Sequence, residues 1–298
     1  MHYVQPALER TEVHTGRRSG SSLLVSKQYS EIVNKTRPTT SAGQPASSGQ
    51  EIILIVEDNA DVRAYIAEHL QDRYAVLQAT NGEDGFAKAQ EAIPDLIITD
   101  VMMPRIDGYQ LTKILREDEK TSHIPVVMVT AKAGEENRIE GLERGVDAYL
   151  IKPFSPNELR VRVRKLIEMR RNLRKRFSTA TVIKPLEIEA TSMDRAFLER
   201  VIAVIEASLG DEEFSVETLA SEVAMSTSQI NRKLNALIGQ PASQLIRSTR
   251  LQRAADLLTQ NAGTVAEIAY RVGFSDQAHF ARSFHKQFER SPSKFKQQ

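Results

Sequence analysis

The sequence predicts an α/β domain, a five-stranded parallel sheet with helices on both faces, followed by an all-α domain with two helix-turn-helix units. Three observations carry this. From residue 51 to about 172, short apolar runs alternate five times with amphipathic segments. From residue 194 onward there is no strand-like run, and apolar residues recur at helical spacing. Within that second half, SVETLASEVAMSTSQINRKLNALIG (215–239) and TVAEIAYRVGFSDQAHFARSFHKQF (264–288) share one plan.

In chain order, residues 1–50 are poor in periodic hydrophobics and end in RPTTSAGQPASSGQ, the composition of a flexible leader or linker. Residues 51–172 form the α/β domain. Its strands are predicted at Ile52–Val56, Tyr74–Gln78, Leu96–Thr99, Val126–Thr130 and Ala148–Ile151, and its helices at 59–70, 83–92, 108–117, 135–144 and 155–172. Ser155 caps the last helix and Pro156 suits its first turn. Its basic cluster, Arg170–Arg176, reads as a solvated face or a phosphate contact. Residues 173–193 are a second linker, and 194–298 the helical domain, with helices at about 194–209, 215–223, 227–238, 242–259, 264–271, 276–288 and 292–296.

The composition excludes several classes of function. The chain has no cysteine, which rules out disulfides, thiolate catalysis and cysteine metal sites. No apolar run approaches the ~20 residues of a membrane helix, and the start has no signal-peptide core, so a cytoplasmic chain with no membrane contact of its own is expected. A formal net charge of +1 conceals an asymmetry: residues 51–168 hold 15 Lys/Arg against 22 Asp/Glu, and residues 226–298 hold 11 against 4. An acidic half joined to a basic half suggests a cation or phosphodonor for one and nucleic acid for the other.

The polar residues at the strand ends sharpen this. Glu57 and Asp58 follow the first strand, Asp100 ends the third, Thr130 the fourth, and Lys152 follows the fifth. In a parallel sheet these ends line one crevice. Three carboxylates there repel unless a hard cation lies between them, and Mg²⁺ takes such oxygen ligands. Lys152 offers a point charge and Thr130 a hydroxyl to a phosphoryl oxygen, which leaves Asp100 as a nucleophile that would form an acyl phosphate.

The motifs IVEDN (55–59), TDVMMPRIDGY (99–109), VTA (129–131) and DAYLIKPF (147–154) closely resemble the response-regulator receiver family, whose fold is flavodoxin-like. The resemblance implies that Asp100 is the phosphoacceptor, that Asp58 is the more direct Mg²⁺ ligand of the acidic pair, and that the Met102 backbone carbonyl is a further ligand. It also implies that Thr130 and Tyr149 are the switch pair, that Lys152–Pro153 is a cis peptide, and that the face formed by 135–154 changes on phosphorylation and mediates dimerisation.

In the helical domain each unit has a small residue in its first helix (Ala220, Ala269), an apolar one three later (Val223, Val272), and then a turn. Ser215 caps the first unit; Gly273 makes the turn of the second, with Ser275 as the expected next cap. Phe280, Phe284 and Phe288 fall on one stripe and are core. Off the core stripes lie Ser228, Asn231 and Arg232 in one unit and Gln277, Ala281 and Arg282 in the other. They include the residue types that read guanine and adenine edges, and are the candidate DNA contacts. Lys233, Arg250, Lys286 and Lys294 are candidates for phosphate contact. The segment resembles the AraC/XylS-type DNA-binding domain, strongest at IAYRVGFSDQAHFARSFHKQF and SPSKFK, with Glu289 where that family usually has glycine.

The expected function is a response regulator in which phosphorylation of Asp100 controls sequence-specific binding to double-stranded DNA. Its partners would be a histidine kinase or phosphotransfer protein, RNA polymerase, and a second copy of the chain when phosphorylated. It would be no enzyme beyond accepting, and slowly losing, the phosphoryl group. One alternative is the C-terminal output part of a membrane-bound hybrid kinase of the Bacteroidetes type, which the domain combination resembles. Others are an adaptor that binds protein and a Mg²⁺-dependent hydrolase.

Overall fold

The computed structural model describes residues 50–131, 145–178 and 191–295. The expected leader, the 135–144 helix and most of the second linker lie outside the described residues. The first domain contains β1 (Ile52–Val56), α1 (Ala60–Leu70), β2 (Ala75–Ala79), α2 (Gly82–Ala92), β3 (Leu96–Asp100), α3 (Gly108–Glu117), β4 (Val126–Thr130), β5 (Ala148–Ile151) and α4 (Pro156–Ser178). All strand pairs are parallel, in the order β2-β1-β3-β4-β5.

Side chains alternate across the pleat, so each central strand feeds two cores. Ile53, Ile55, Ile98, Val127 and Val129 pack on α1 and α4, through Val62, Tyr65, Ile66, Leu159 and Val163. Leu54, Val56, Ile97 and Val126 pack on α2 and α3, through Ala89, Leu111 and Leu115. The sheet is therefore buried on both faces, as its unbroken apolar strands require.

The helical domain contains α5 (Ser192–Ala207), α6 (Val216–Glu222), α7 (Thr227–Ile238), α8 (Ala242–Thr259), α9 (Val265–Arg271), α10 (Gln277–Phe288) and α11 (Pro292–Phe295). It has two cores. Phe197, Leu219, Ile230 and Leu234 meet the start of α8 in one, and Ile268, Phe280 and Phe284 meet its end in the other. Thus α8 joins the two helix-turn-helix units, α6–α7 and α9–α10.

Capping follows the sequence with one correction. Ser215 caps α6, and Ser226 forms a capping box with Gln229 on α7. The cap of α10 is Asp276 rather than Ser275: the helix starts at Gln277, so Asp276 holds the cap position, and its carboxylate accepts from the amides of both Ala278 and His279. The second turn needs its glycine. Gly273 has φ +78°, and a Cβ there would lie 2.5 Å from the Leu209 carbonyl oxygen. Glu289 itself adopts the left-handed conformation, φ 56°, that ends α10, which is how the chain manages without glycine there.

Helix α4 runs six residues beyond the expected boundary at 172. No Gly or Pro interrupts VRVRKLIEMRRNLRKRFS, and most of its residues are good helix formers.

Candidate phosphoacceptor site and DNA-reading helices

The sheet order reverses at β1, between β2 and β3, and Glu57, Asp58 and Asp100 sit at the C-terminal ends beside that reversal. Carboxylate oxygens of the three lie within 4.8 Å of one another. Glu57 and Asp100 are buried, while Asp58 is exposed toward the crevice mouth. The Lys152 ammonium lies 2.8 Å from Glu57 Oε2 and 3.1 Å from Asp100 Oδ1. Lys152 is held by its own amide, which donates to the Thr130 carbonyl at 2.7 Å, and the following Lys152–Pro153 bond is cis. Thr130 and Tyr149 are half-buried, on β4 and β5, with Tyr149 in register beside Met128. Met102 is 74% exposed, two residues past Asp100.

The electrostatics are those of an unneutralised acidic site. Burial raises Glu57 to about 7, Lys152 works against this, and Asp100 adds to it. Burial likewise raises Asp100, Lys152 opposes it, and Asp58 reinforces it. Burial pulls Lys152 down, but Glu57 and Asp100 more than offset that and hold its charge. Crowded hard oxygen donors, with more negative charge than one lysine balances, fit a divalent cation such as Mg²⁺.

Two supporting residues were not singled out from sequence. Arg63 donates to the Glu57 carbonyl at 2.7 Å and so fixes the acidic loop. Gly108 stands in an Asp-Gly pair, which by sequence marks a turn, yet a Cβ there would collide with the Asp100 carbonyl oxygen. The DG pair was a signal for a turn and not for this close approach.

In the helical domain, α7 presents Ser228 exposed and Arg232 half-buried. Asn231 is also half-buried, and its Oδ1 accepts from the Ala242 amide at 2.9 Å, so this oxygen fastens α7 to α8. On α10, Gln277 and Arg282 are exposed and Ala281 is half-buried.

Lys233 overturns the phosphate-contact expectation. It has no exposed surface, donates to Asp194 Oδ1 at 3.0 Å and to the Glu119 carbonyl, and lies 4.5 Å from the centre of the Phe197 ring. Arg250 donates to the Asp211 carbonyl beside the second turn, whereas Lys286 and Lys294 are exposed. Much of the 170–176 cluster is also engaged: Arg171 pairs with Glu51, and Arg174 reaches Asp95 and the Ala236 carbonyl, each at 3.2 Å. A basic helix end packed on an acidic domain finds carboxylates there before it finds solvent.

A buried aspartate with a cation-ready acidic pair and a bridging lysine, followed by paired helix-turn-helix units, defines a phosphoacceptor domain joined to a DNA-reading domain. Residues 53–164 match the family model described as response regulator receiver domain, and residues 219–298 the model described as helix-turn-helix domain. The first segment is a response regulator receiver domain and the second an AraC-type helix-turn-helix domain, the pairing found in two-component regulators with a DNA-binding output.

Among relatives, the chain is 37% identical over 243 residues to Histidine kinase P4 of Formosa agariphila, covering 82% of this chain and 18% of that protein. It is 43% identical over 116 residues to the transcriptional regulatory protein ResD of Bacillus subtilis, covering 39% of this chain and 47% of that one. The chain thus spans less than half the length of these relatives. A solved receiver domain of a sensor histidine kinase from Pseudomonas aeruginosa PAO1, with magnesium ion coordinated in its active site cleft, is 30% identical. That match has a TM-score of 0.38 and covers 40% of this chain and 99% of that one. Among the described residues, no helix is long and apolar enough to cross a membrane.

Proposed function

We propose that this chain accepts a phosphoryl group on Asp100 from a histidine kinase or phosphotransfer protein, and that its state of phosphorylation controls sequence-specific DNA binding in the cytoplasm. The observation that carries the reading is Lys152 held between Glu57 and Asp100 in a crevice rich in carboxylates. A carboxylate oxygen of Asp100 forms a bond to phosphorus as the bond from phosphorus to the donor's ring nitrogen breaks; that ring carries a proton on its other nitrogen, so the products are an acyl phosphate and a neutral imidazole. Lys152 and the Thr130 hydroxyl hold the phosphoryl oxygens. Glu57, Asp58, Asp100 and the Met102 carbonyl would hold Mg²⁺, which when bound neutralises negative charge on the transferred group. Tyr149 turns inward as Thr130 engages the phosphate, shifting a two-state equilibrium.

Downstream, Ser228 and Arg232 of α7, with Asn231 offering only its Nδ2 because α8 takes its Oδ1, and Gln277, Ala281 and Arg282 of α10, read base edges in successive major grooves. A dimer of phosphorylated chains and contact with RNA polymerase complete the reading. Asp100 is a phosphoryl acceptor that returns slowly to its free state, so no turnover of other substrates is expected.

The test is labelling with radioactive acetyl phosphate and Mg²⁺. The parent chain should take up label and Asp100→Ala should take up none; label retained on the Ala variant refutes the assignment. A second reading, that this chain is the output part of a larger hybrid kinase, is favoured by the 243-residue alignment to Histidine kinase P4, which spans both domains. An immunoblot of native cells decides it: a band far above 33.4 kDa supports the hybrid, and a band at that mass refutes it.

A further inference from the structure

The two reading helices do not stand in the same situation. Helix α10 packs on α8, α9 and α11, with Gln277 and Arg282 in solvent. Helix α7 packs on α4, the last helix of the receiver. Its residues 229, 233 and 236, spaced i, i+4 and i+7, form one face turned to the receiver. Gln229 Nε2 donates to the Gln90 carbonyl at 2.8 Å, Lys233 donates to the Glu119 carbonyl, and the Ala236 carbonyl accepts from Arg174 Nε at 3.2 Å. Beside them Ser122 Oγ donates to Asp194 Oδ1 at 2.7 Å, and Arg200 pairs with Glu119 at 2.6 Å. These contacts join α2, the α3–β4 connection and α4 of the receiver to α5 and α7 of the output domain.

A helix with its side chains is about 10–12 Å across, and the major groove is about 12 Å wide. A helix seated in that groove leaves no space for a domain on its flank. The first turn of such a helix makes the base contacts, and Gln229 lies in the first turn of α7. We infer that the receiver and DNA compete for α7, so that in this arrangement the chain offers DNA one reading helix, α10, and withholds the other. The inference rests on the proposed DNA-binding role and deepens it: the receiver's part is to set the number of grooves the chain can grip, one or two.

The chain lacks cysteine, so a pair can be introduced cleanly. The double variant Gln90→Cys, Gln229→Cys is joined by a reducible bis-methanethiosulfonate linker, and binding to a random-sequence duplex pool is measured before and after reduction. The linked chain should bind at least about tenfold more weakly, the loss expected when one of two tethered grips is removed, and reduction should restore binding. Equal affinity in both forms overturns the inference. The single variant Gln229→Cys, probed with maleimide, separates this from the phosphorylation reading. Faster labelling with beryllofluoride and Mg²⁺ supports release by phosphorylation. Unchanged labelling, with the linked form still impaired, leaves the competition standing and refutes its control by Asp100.

Discussion

The Lys233 ammonium lies 3.0 Å from Asp194 Oδ1, and both side chains are almost wholly buried, at 0% and 2% exposed. Burial lowers Lys233 and raises Asp194. Asp194 offsets part of that cost for the lysine, and Asp194 is itself held below its ordinary value by Lys233 and by hydrogen bonds from Thr191 and Ser122.

Removing one partner of such a pair leaves a buried charge without its counterion. Lys233→Met should therefore destabilise the output domain by about 3–5 kcal/mol, and adding Asp194→Leu should recover much of that. Urea unfolding of the two variants measures it; a single variant as stable as the parent would show that the pair contributes little.

Gly108→Ala should cost ~2 kcal/mol or more, because the new methyl meets the Asp100 carbonyl oxygen, which is backbone and cannot swing aside. Phosphoryl uptake should fall with it, since the same shift moves the carboxylate. Thermal unfolding together with acetyl phosphate labelling checks both, and an Ala variant matching the parent in each refutes the contact.

His123 is 5% exposed, with both ring nitrogens buried and lacking a hydrogen-bond partner. Burial first, then Lys233, holds it well below its ordinary value near 6.5, with Arg170 and Arg174 adding to this and Asp194 opposing it. The sign follows: docking favours the neutral ring, so its stability is present above the ordinary value and is lost as pH falls and the ring takes a proton. The radius of gyration from solution scattering should grow between about pH 7.5 and about pH 5.5 in the parent and stay flat in His123→Gln. Parallel curves would remove His123 from the account.

Arg282→Ala should relax base preference at one position by ~1–3 kcal/mol while leaving others intact. Selection from a randomised duplex pool reads this out, and uniform weakening on all sequences would instead make Arg282 a phosphate contact.

Among the described residues most strand and helix limits were legible, α4 excepted, because they follow from local periodicity, and the strand-end residues Glu57, Asp58, Asp100, Thr130 and Lys152 converge because a parallel sheet delivers them to one edge. What was not legible depends on distant parts of the chain. Lys233 reads as a polar helix residue, and only Asp194, 39 positions earlier, makes a buried cation tenable. Arg174 reads as a solvated charge until Asp95 and α7 are placed beside it. Gly108 carries no sequence mark that separates a turn from a backbone collision.

Helix α4 extends without a break from the receiver core, where Leu159 and Val163 anchor it, to the stretch where Arg174 meets Ala236. At 23 residues it is a rod about 35 Å long. A rod transmits rotation as well as distance: each residue added or removed along it turns whatever lies beyond by about 100°. The face that α4 turns toward α7 is thus periodic in the length of α4, and a pair of chains differing by two full turns would share a phase that chains differing by half a turn would not.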